Sequence, residues 1–480
     1  MDFDVIVIGG GLGGLTAGAK LAREGKKVLL IEQHSQPGGC ATSFRRGDFT
    51  LEVGLHEMDG PSVRDMKTRI FSELEVTGNI GFVRIPEFYH FTGQDTAITI
   101  PHNPEEAAGI LKEAFPLEGK AIDAYFTRIL NPKKKTPSQE ASQDTSVGEF
   151  LDSITGNESL KLVLLGNLGY FHDDPYSLSL TYYSVAQGSY YGGAASFIKG
   201  GSQNLSDHLA AYIRNHGGEV LLNHLVTGIT EHDGRLNGVT YRKKAGSSDE
   251  MTAYGRDIIA NAAMENIAGF LPQKYGIDLK GQISKQKTGA SLLTIYFGFK
   301  RNLKLIGNSH YSRFVFDDSV KSQKDVLTNN RDSFEKRSFT FIDYGQIDSG
   351  LAPAGKAVGA LCCIDYLRDW ENLSRQEYKT KKEEVAKTFI SRLEKILPGI
   401  AGEIEYYEVG TPATVKRYTL NPAGAVYGFA QLPSKPVIDL SSMPANLHFA
   451  SAWGKTGGGF SGAIYSGYLC AYNILRKSKL

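Results

Sequence analysis

The stretch that decides the fold is Asp4-Val5-Ile6-Val7-Ile8, Gly9-Gly10-Gly11-Leu12-Gly13-Gly14, an alanine- and leucine-rich run from 15 to about 23, then Val28-Leu29-Leu30-Ile31-Glu32. Two short apolar runs read as buried strands, and the segment between them reads as a helix entered directly from a glycine turn. Strand, glycine turn, helix, strand and acid follow in the order that a dinucleotide site needs. In that unit Gly9 permits the tight turn, Gly11 lets backbone approach a pyrophosphate, and Gly14 lets helix and strand pack closely. The helix N-terminus offers free N–H groups and a partial positive charge to the phosphates. Glu32, eighteen positions past Gly14, is placed to accept hydrogen bonds from both ribose hydroxyls of an adenosine. A glycine turn alone also serves structural loops; the flanking strands and the acid make this one a binding turn.

A chain of 480 residues is long enough for a large core and for two intertwined domains. Lys+Arg (53) and Asp+Glu (52) nearly cancel, which gives no electrostatic case for nucleic acid as a partner. The basic run Lys133-Lys134-Lys135 sits in a polar stretch and reads as a solvated loop. Cys40, Cys362, Cys363 and Cys470 have no metal-ligand spacing and form no disulfide framework, so no metal is expected and a reducing, cytoplasmic setting fits. The first strand begins almost at Met1, which predicts no signal or transit segment. No window reaches about 18 uninterrupted apolar residues, which excludes a spanning helix and leaves attachment to a membrane surface open.

Further nucleotide-type elements lie downstream. Gly200-Gly201-Ser202 precedes an amphipathic helix over 204–213 that Gly217-Gly218 ends, and strands follow at 219–222 and 225–229. Asp233-Gly234 and Asn237-Gly238 are turn signals of a hairpin running through 239–241, and 256–262 is another strand. A third piece has a strand at 447–450, a glycine cluster over 454–459 and a helix to about 476. The predicted fold is α/β: a doubly wound Rossmann-type domain built from 1–70, 190–265 and 430–480, with an inserted α+β substrate domain at 71–189 and 266–429. The polar stretches 131–147 and 317–337 read as exposed loops. Tyr and Phe, 24 each, crowd the second domain. Singly they read as sheet packing, and as a population they suit the wall of a long apolar cavity, with 182–197 and 292–299 as its candidate walls.

Pro37-Gly38-Gly39-Cys40-Ala41-Thr42-Ser43-Phe44, followed by Phe49-Thr50-Leu51-Glu52-Val53-Gly54-Leu55-His56, resembles a flavoprotein signature rather than a nicotinamide one. It is similar to that of the phytoene desaturase, carotenoid isomerase and retinol saturase family of FAD-dependent oxidoreductases. Gly54-Leu55-His56 resembles the saturase form of the family's glycine-x-histidine element, and Gly200-Gly201-Ser202-Gln203 its mid-chain Gly-Gly motif. Gly410-Thr411-Pro412-Ala413-Thr414 with Gly424-Ala425-Val426-Tyr427-Gly428 resembles its segment near the flavin ring, and Gly459-Phe460-Ser461-Gly462-Ala463 its C-terminal motif. The resemblance spans the chain and is dense only in the three nucleotide segments. It implies non-covalent FAD held by Gly9, Gly11, Gly13, Gly14, Glu32, Gln33, Gly38, Gly39, Ser43, Gly54, Val226, Ala452, Gly459, Phe460, Ser461 and Ala463. It also implies an acid just after the last strand, beside the ribityl chain, where this chain has Ser451-Ala452-Trp453; backbone N–H groups remain there to bind phosphate.

The function so implied is an FAD-dependent oxidoreductase acting on carbon–carbon double bonds of a long apolar, carotenoid- or retinoid-like substrate, by desaturation, saturation or isomerisation. Gly457, Gly458 and Gly459 let backbone approach the ring, and the amides opening the last helix are placed to stabilise negative charge on reduced flavin. His56 is the titratable residue that the pattern sets near the flavin, as a substrate-orienting group or proton donor, or else as a buried histidine with a satisfied hydrogen bond. Glu57 beside it reads as solvated. Cys362-Cys363 lies in an apolar strand, where neighbours face opposite sides, and reads as core rather than a redox pair. A second glycine unit for NAD(P)H is not evident, so the external electron donor or acceptor stays open. Two rivals remain: an amine oxidase on the same fold, favoured by a lysine–water pair at the flavin, and a flavin-binding carrier. A lipid-borne substrate implies hydrophobic contact with a membrane at the cavity mouth.

Overall fold

In a computed structural model that describes residues 2–63, 65–132, 144–246 and 249–477, strand Phe3–Ile8 lies at the centre of a parallel sheet. It pairs with Val28–Ile31 on one side and with Met251–Ala260 on the other. Glu219–Leu221 extends the first edge and Leu447–Phe449 the second. Ile8 is in register with both Ile31 and Ala260, so the strand ends line up at the level of Gly9. Val5 to Ile8 and the whole of Val28–Ile31 are buried, as strands covered on both faces must be. Met251–Ala260 also pairs antiparallel with Arg235–Lys243, which pairs with His224–His232. The hairpin foreseen at 239–241 is thus two nine-residue strands.

Helix Leu12–Arg23 starts within the glycine turn, three residues earlier than the alanine-rich run predicts. It packs against the last helix, Gly459–Lys477, so tightly that a Cβ on Gly467 would stand 2.1 Å from the Gly13 carbonyl oxygen. A Cβ on Gly13 would stand 1.7 Å from the carbonyl oxygen of Ala450, at the end of the last strand. Three distant pieces of chain therefore meet backbone to backbone at the turn.

The second sheet has seven strands in the order Ile404–Gly410, Ser291–Phe299, Ala357–Asp365, Phe339–Asp343, Ser312–Val315, Tyr89–Gly93, Thr96–Ile100. All its pairings are antiparallel except that between Ser312–Val315 and Tyr89–Gly93. In Ser291–Phe299 the period of two is plain. Leu293, Ile295, Phe297 and Phe299 pack with Val385, Ala386, Phe389 and Leu393 of helix Arg375–Ile396, while Leu292, Thr294 and Tyr296 face a cavity. A group of helices, Gly119–Leu130, Val147–Ile154 and Leu180–Gly193 among them, closes the far side around Tyr125 and Tyr183.

The stretch 317–337 is only in part an exposed loop, since it holds the short helix Val326–Asn329 and buries Gln323, Asn329, Asn330 and Arg337. Its side chains are polar, but Gln323 is 1% exposed and Arg337 3%. Gln323 donates from Nε2 to the Gly148 carbonyl and to Asp152, and Asn330 from Nδ2 to the Asp173 carbonyl at 2.8 Å. Composition misleads here because these side chains replace water with protein partners. Of the stretch 131–147, residues 133–143 with the Lys133–Lys135 run lie outside the described residues, and Val147 already opens a helix capped by Ser146.

Arg337 ties this stretch to the sheet, with Nη1 2.7 Å from Asp365 Oδ1, while Trp370 Nε1 donates to Asp365 Oδ2 at 2.6 Å. Removing one member of so deeply buried a pair leaves an uncompensated charge. Asp365→Ala is expected to lose about 3–5 kcal/mol of stability in urea denaturation. A loss under about 1 kcal/mol, the size of a surface pair, would show that the ion pair holds nothing in place.

Candidate active site

Glu32 ends its strand 8% exposed, with Oε2 accepting from the Gly10 N–H at 2.6 Å and Oε1 from the His34 N–H at 2.8 Å. These bonds fix the carboxylate at the mouth of the glycine turn. Helix Leu12–Arg23 begins there with Gly11 as its N-cap and with no side-chain cap, so its first amides remain free. Asn261, at the end of the neighbouring strand, donates from Nδ2 to the Gly9 carbonyl at 2.9 Å and braces the turn. Gly38 donates its N–H to the Gly10 carbonyl at 2.7 Å, which lays Pro37-Gly38-Gly39 beside Gly11.

From this turn a cavity of about 1070 Å³ runs between the two sheets. Gly9, Gly11, Gly13, Glu32, Gln33, Gly38, Gly39, Ser43, Gly54, Val226, Ala452, Gly459, Phe460, Ser461 and Ala463 all line it, as does His56. Gly14 does not line it; a Cβ there would meet the Gly9 carbonyl oxygen at 2.3 Å, so its place is helix-to-strand packing. Gln33 is spanned between the Tyr418 carbonyl, which accepts from Nε2 at 3.1 Å, and Lys244, which donates to Oε1 at 3.0 Å. Gly200-Gly201-Ser202 acts through a buried acid: Glu52 accepts from the Ser202 N–H and from its hydroxyl, both at 2.7 Å. Glu52 also accepts from Leu55 N–H at 3.0 Å, and so shapes the backbone that enters the site.

Asp59 is a site residue that the sequence reading missed. Its Oδ1 accepts from the Ser461 hydroxyl at 2.5 Å, at the start of the last helix, and its Oδ2 lies 2.7 Å from Lys67 Nζ. Burial alone would lower the Lys67 pKa, but Asp59 and Asp65 outweigh it and hold the ammonium charged. Asp59 lies far from the last strand in sequence and carries no motif, and only the fold brings it to that helix. Asn261 could have been read as the polar end of a buried strand.

The segment from Val53 to His56 is strung on three tyrosine hydroxyls of the second sheet and its flanks. Tyr296 donates to the Val53 carbonyl at 3.4 Å, Tyr344 to that of Leu55 at 2.9 Å, and Tyr311 to that of His56. His56 Nε2 is 3.8 Å from Cys362 Sγ, and burial pushes its pKa down to about 4, so the ring is neutral near pH 7. It can orient a ligand there, but it carries no proton to give as an imidazolium. Burial pushes the thiols of Cys40 and Cys362 up, to about 11 and about 12, which leaves them protonated and inert. Glu57 is not solvated. It is 7% exposed, and burial, with Glu87 and Asp59 nearby, outweighs the opposing Tyr170 hydroxyl and raises its pKa well above the usual range. Leu55, Glu57, Met58 and Asp59 are buried, so this end of the segment is enclosed. No cluster of potential metal ligands occurs among the described residues.

The donor set fits FAD. Gly11 has φ −70° and ψ 168°, open to any residue, so the glycine serves space rather than conformation. A Cβ there would meet within 4 Å only Asn261 Nδ2, at 3.2 Å, and one on Gly459 would meet nothing. Glycines thus leave room beside two helix starts, the first of them uncapped, with an acid held at the adenosine end. The family of flavin containing amine oxidoreductases matches this chain over residues 12–475. The chloroplastic prolycopene isomerase of Daucus carota is 26% identical over 98% of this chain and 80% of its own length. The all-trans-retinol 13,14-reductase of Danio rerio is 25% identical over 89% of this chain and 77% of its own. Among solved structures, an oxidoreductase from Methanosarcina mazei covers 98% of this chain and 100% of its own at TM-score 0.66 and 15% identity. Cyclohexylamine oxidase from Brevibacterium oxydans covers 100% of both at TM-score 0.66 and 16% identity. At that identity these structures share the fold.

Two substitutions separate space from charge at this end of the cavity. Gly11→Val is expected to fold as the parent does and to purify without flavin, because its side chain would occupy the phosphate position. Glu32→Ala is expected to weaken FAD binding by about 1.5–3 kcal/mol for each ribose hydrogen bond lost. Flavin-to-protein absorbance ratios and FAD titration of the apoprotein read both. Full occupancy in Gly11→Val would displace the phosphates from this turn.

Proposed function

Since the chain belongs to the family of flavin containing amine oxidoreductases, we propose that it is an FAD-dependent enzyme that desaturates, saturates or isomerises carbon–carbon double bonds of a long apolar polyene. The observation that carries this reading is the continuity of one cavity. It begins at the dinucleotide turn and ends among Tyr170, Phe171, Tyr182, Tyr190, Phe314 and Phe316. Two relatives aligned over most of the chain are named for carotenoid and retinoid double-bond chemistry. The amine oxidase reading gains nothing further: Lys382 is the one lysine among the described residues lining the cavity, and it lies with Nζ 5.6 Å from the Tyr378 ring.

Bound FAD supplies hydride and electron exchange at its ring. The chain's own part is to bind and exclude. Residues 1–70, 190–265 and 430–480 hold the cofactor, and 71–189 with 266–429 enclose the substrate. Glu32, Gly11 and the amides of the first helix take the adenosine and phosphates, while Gly459, Phe460 and Ser461 open the last helix toward the ring. The aromatic end keeps water from the reacting carbons, and His56, neutral and half-buried, orients the chain of the substrate. On this reading an all-trans retinoid or a carotenoid is expected to shift the flavin absorbance of the loaded protein. A short primary amine is expected to leave it unchanged. The reverse result would move the assignment to amine oxidation.

Such a substrate resides in lipid, and no helix among the described residues is long and apolar enough to cross a membrane. The apolar side chains around helix Leu180–Gly193 suit surface docking. Val185 lines the cavity yet is 57% exposed, Val63 is 99% exposed, and Leu130 and Met66 are also exposed. The helix packs against helix Gly119–Leu130, and its last residue, Gly193, lies beside Gly60 and the Ser62 hydroxyl. With a net charge of +1 the contact is hydrophobic. Co-sedimentation with neutral liposomes is expected to survive 1 M salt, roughly a 3 Å screening length, and to fall in Val185→Asp. Salt-sensitive binding confined to anionic liposomes would overturn this docking mode.

A further inference from the structure

Asp59 joins the cavity to a closed network of charge behind the last helix. It lines the cavity yet is 8% exposed, and among the described residues each of its oxygens has one hydrogen-bond partner. Oδ2 accepts from Lys67 Nζ at 2.7 Å and Oδ1 from the Ser461 hydroxyl at 2.5 Å. Lys67 is fully buried, and its other ammonium protons go to Asp65 Oδ2 at 2.6 Å and to the Tyr465 hydroxyl at 3.2 Å. Tyr465 in turn donates to Asp65 Oδ1 at 2.5 Å. Each donor in the network therefore has a fixed direction, and Ser461 carries that order to the start of helix Gly459–Lys477. Ser461 lines the cavity in the first turn of that helix. A serine hydroxyl has a single proton, and this one is committed to Asp59. Toward the cavity the oxygen can only accept.

We propose that Asp59 is a positioning residue that sets the direction of the Ser461 hydroxyl, so that an acceptor rather than a donor faces the flavin and the reduced cofactor is held less tightly. The inference rests on the reading above, in which Gly459, Phe460 and Ser461 open the last helix toward the ring. Reduced flavin carries negative charge at its pyrimidine edge. Helix amides favour that charge, whereas an oxygen lone pair beside it opposes it. A cofactor so held is the stronger reductant. Lys67 makes the direction of the hydroxyl open to substitution. An ammonium cannot accept a hydrogen bond, so in Asp59→Asn the amide oxygen must face Lys67 and the NH2 must face Ser461. The amide then donates to Ser461 Oγ, whose own proton swings into the cavity. One isosteric change turns the acceptor into a donor, while Lys67 keeps Asp65 and an amide oxygen as partners.

The test is a double-mutant cycle on the FAD-loaded protein, read as the flavin midpoint potential by spectroelectrochemistry. Asp59→Asn is expected to raise the preference for reduced over oxidised FAD about tenfold, an upward shift of about 30 mV for a two-electron couple. In a Ser461→Ala background most of that shift is expected to vanish, because no hydroxyl remains to turn. Asp59→Ala frees the same proton without supplying a donor. It is expected to move the potential the same way, and it takes the place of Asp59→Asn should that variant not fold. Equal shifts with and without the Ser461 hydroxyl would show that Asp59 acts through its charge alone and would overturn the inference. An unchanged or lowered potential in Asp59→Asn, beside a potential that responds to Ser461→Ala, would overturn it while leaving the ring at the last helix. No response from any variant would remove the ring from that helix and the positioning role with it. The absorbance shift on adding a retinoid tests the polyene reading separately.

Discussion

Everything in this molecule hangs on backbone meeting backbone at the first glycine turn. The Gly13 backbone leaves no room for a side chain against Ala450, and Gly467 leaves none against Gly13. Those contacts pull the last strand and last helix onto the first strand and first helix. Asn261 joins the same point from the third segment through the Gly9 carbonyl. Parallel strands ending at one level then open their carboxyl ends onto a single crevice, where a ligand in this class of sheet binds. The cavity is therefore a consequence of how three separated segments are closed, and both helix starts that face it are set by that closure.

Buried charge supplies the second level of control. Glu52 and Asp59 sit on either side of the Val53–His56 stretch, one fixed by Ser202 and the other by Lys67 and Ser461. Each is paid for by hydrogen bonds or an opposite charge, as buried carboxylates must be. Together with three tyrosine hydroxyls they hold this strip of chain in place. Its side chains are consequently presented into the cavity from a rigid backbone, the arrangement that positioning of a ligand requires.

The cofactor half was legible because its signal is contiguous. Strand, turn, helix, strand and acid occupy the first 32 residues, and glycine types report directly on close approach. The sidedness of Ser291–Phe299 was legible for the same reason, a period of two written in adjacent residues. What could not be read lies in long-range pairing. Asp59 and Lys67 belong to no periodic pattern, and Ser461, the partner of Asp59, is some four hundred residues away. The polar stretch 317–337 looked solvated because composition cannot show that Gln323, Asn330 and Arg337 find protein partners instead of water. Glu57 was misplaced for the converse reason: a charged residue type is read as exposed by default, and only the fold encloses it.

That enclosure gives the aromatic end of the cavity an unusual electrical character. Several of the groups that titrate there are held by burial in their uncharged form. His56 is pushed down to about 4, Cys362 and Tyr182 are pushed up to about 12, and Glu57 is raised well above the carboxylate range. Asp59, which stays close to an ammonium, is neutralised by Lys67. An ammonium ligand entering here would lose its hydration without meeting an unpaired carboxylate, a cost that a buried charge recovers only from a good partner. A polyene loses nothing of the kind and gains from every apolar wall it covers. The same sheets that serve amine oxidation in structural neighbours therefore enclose, in this chain, a space whose electrostatics favour a neutral ligand.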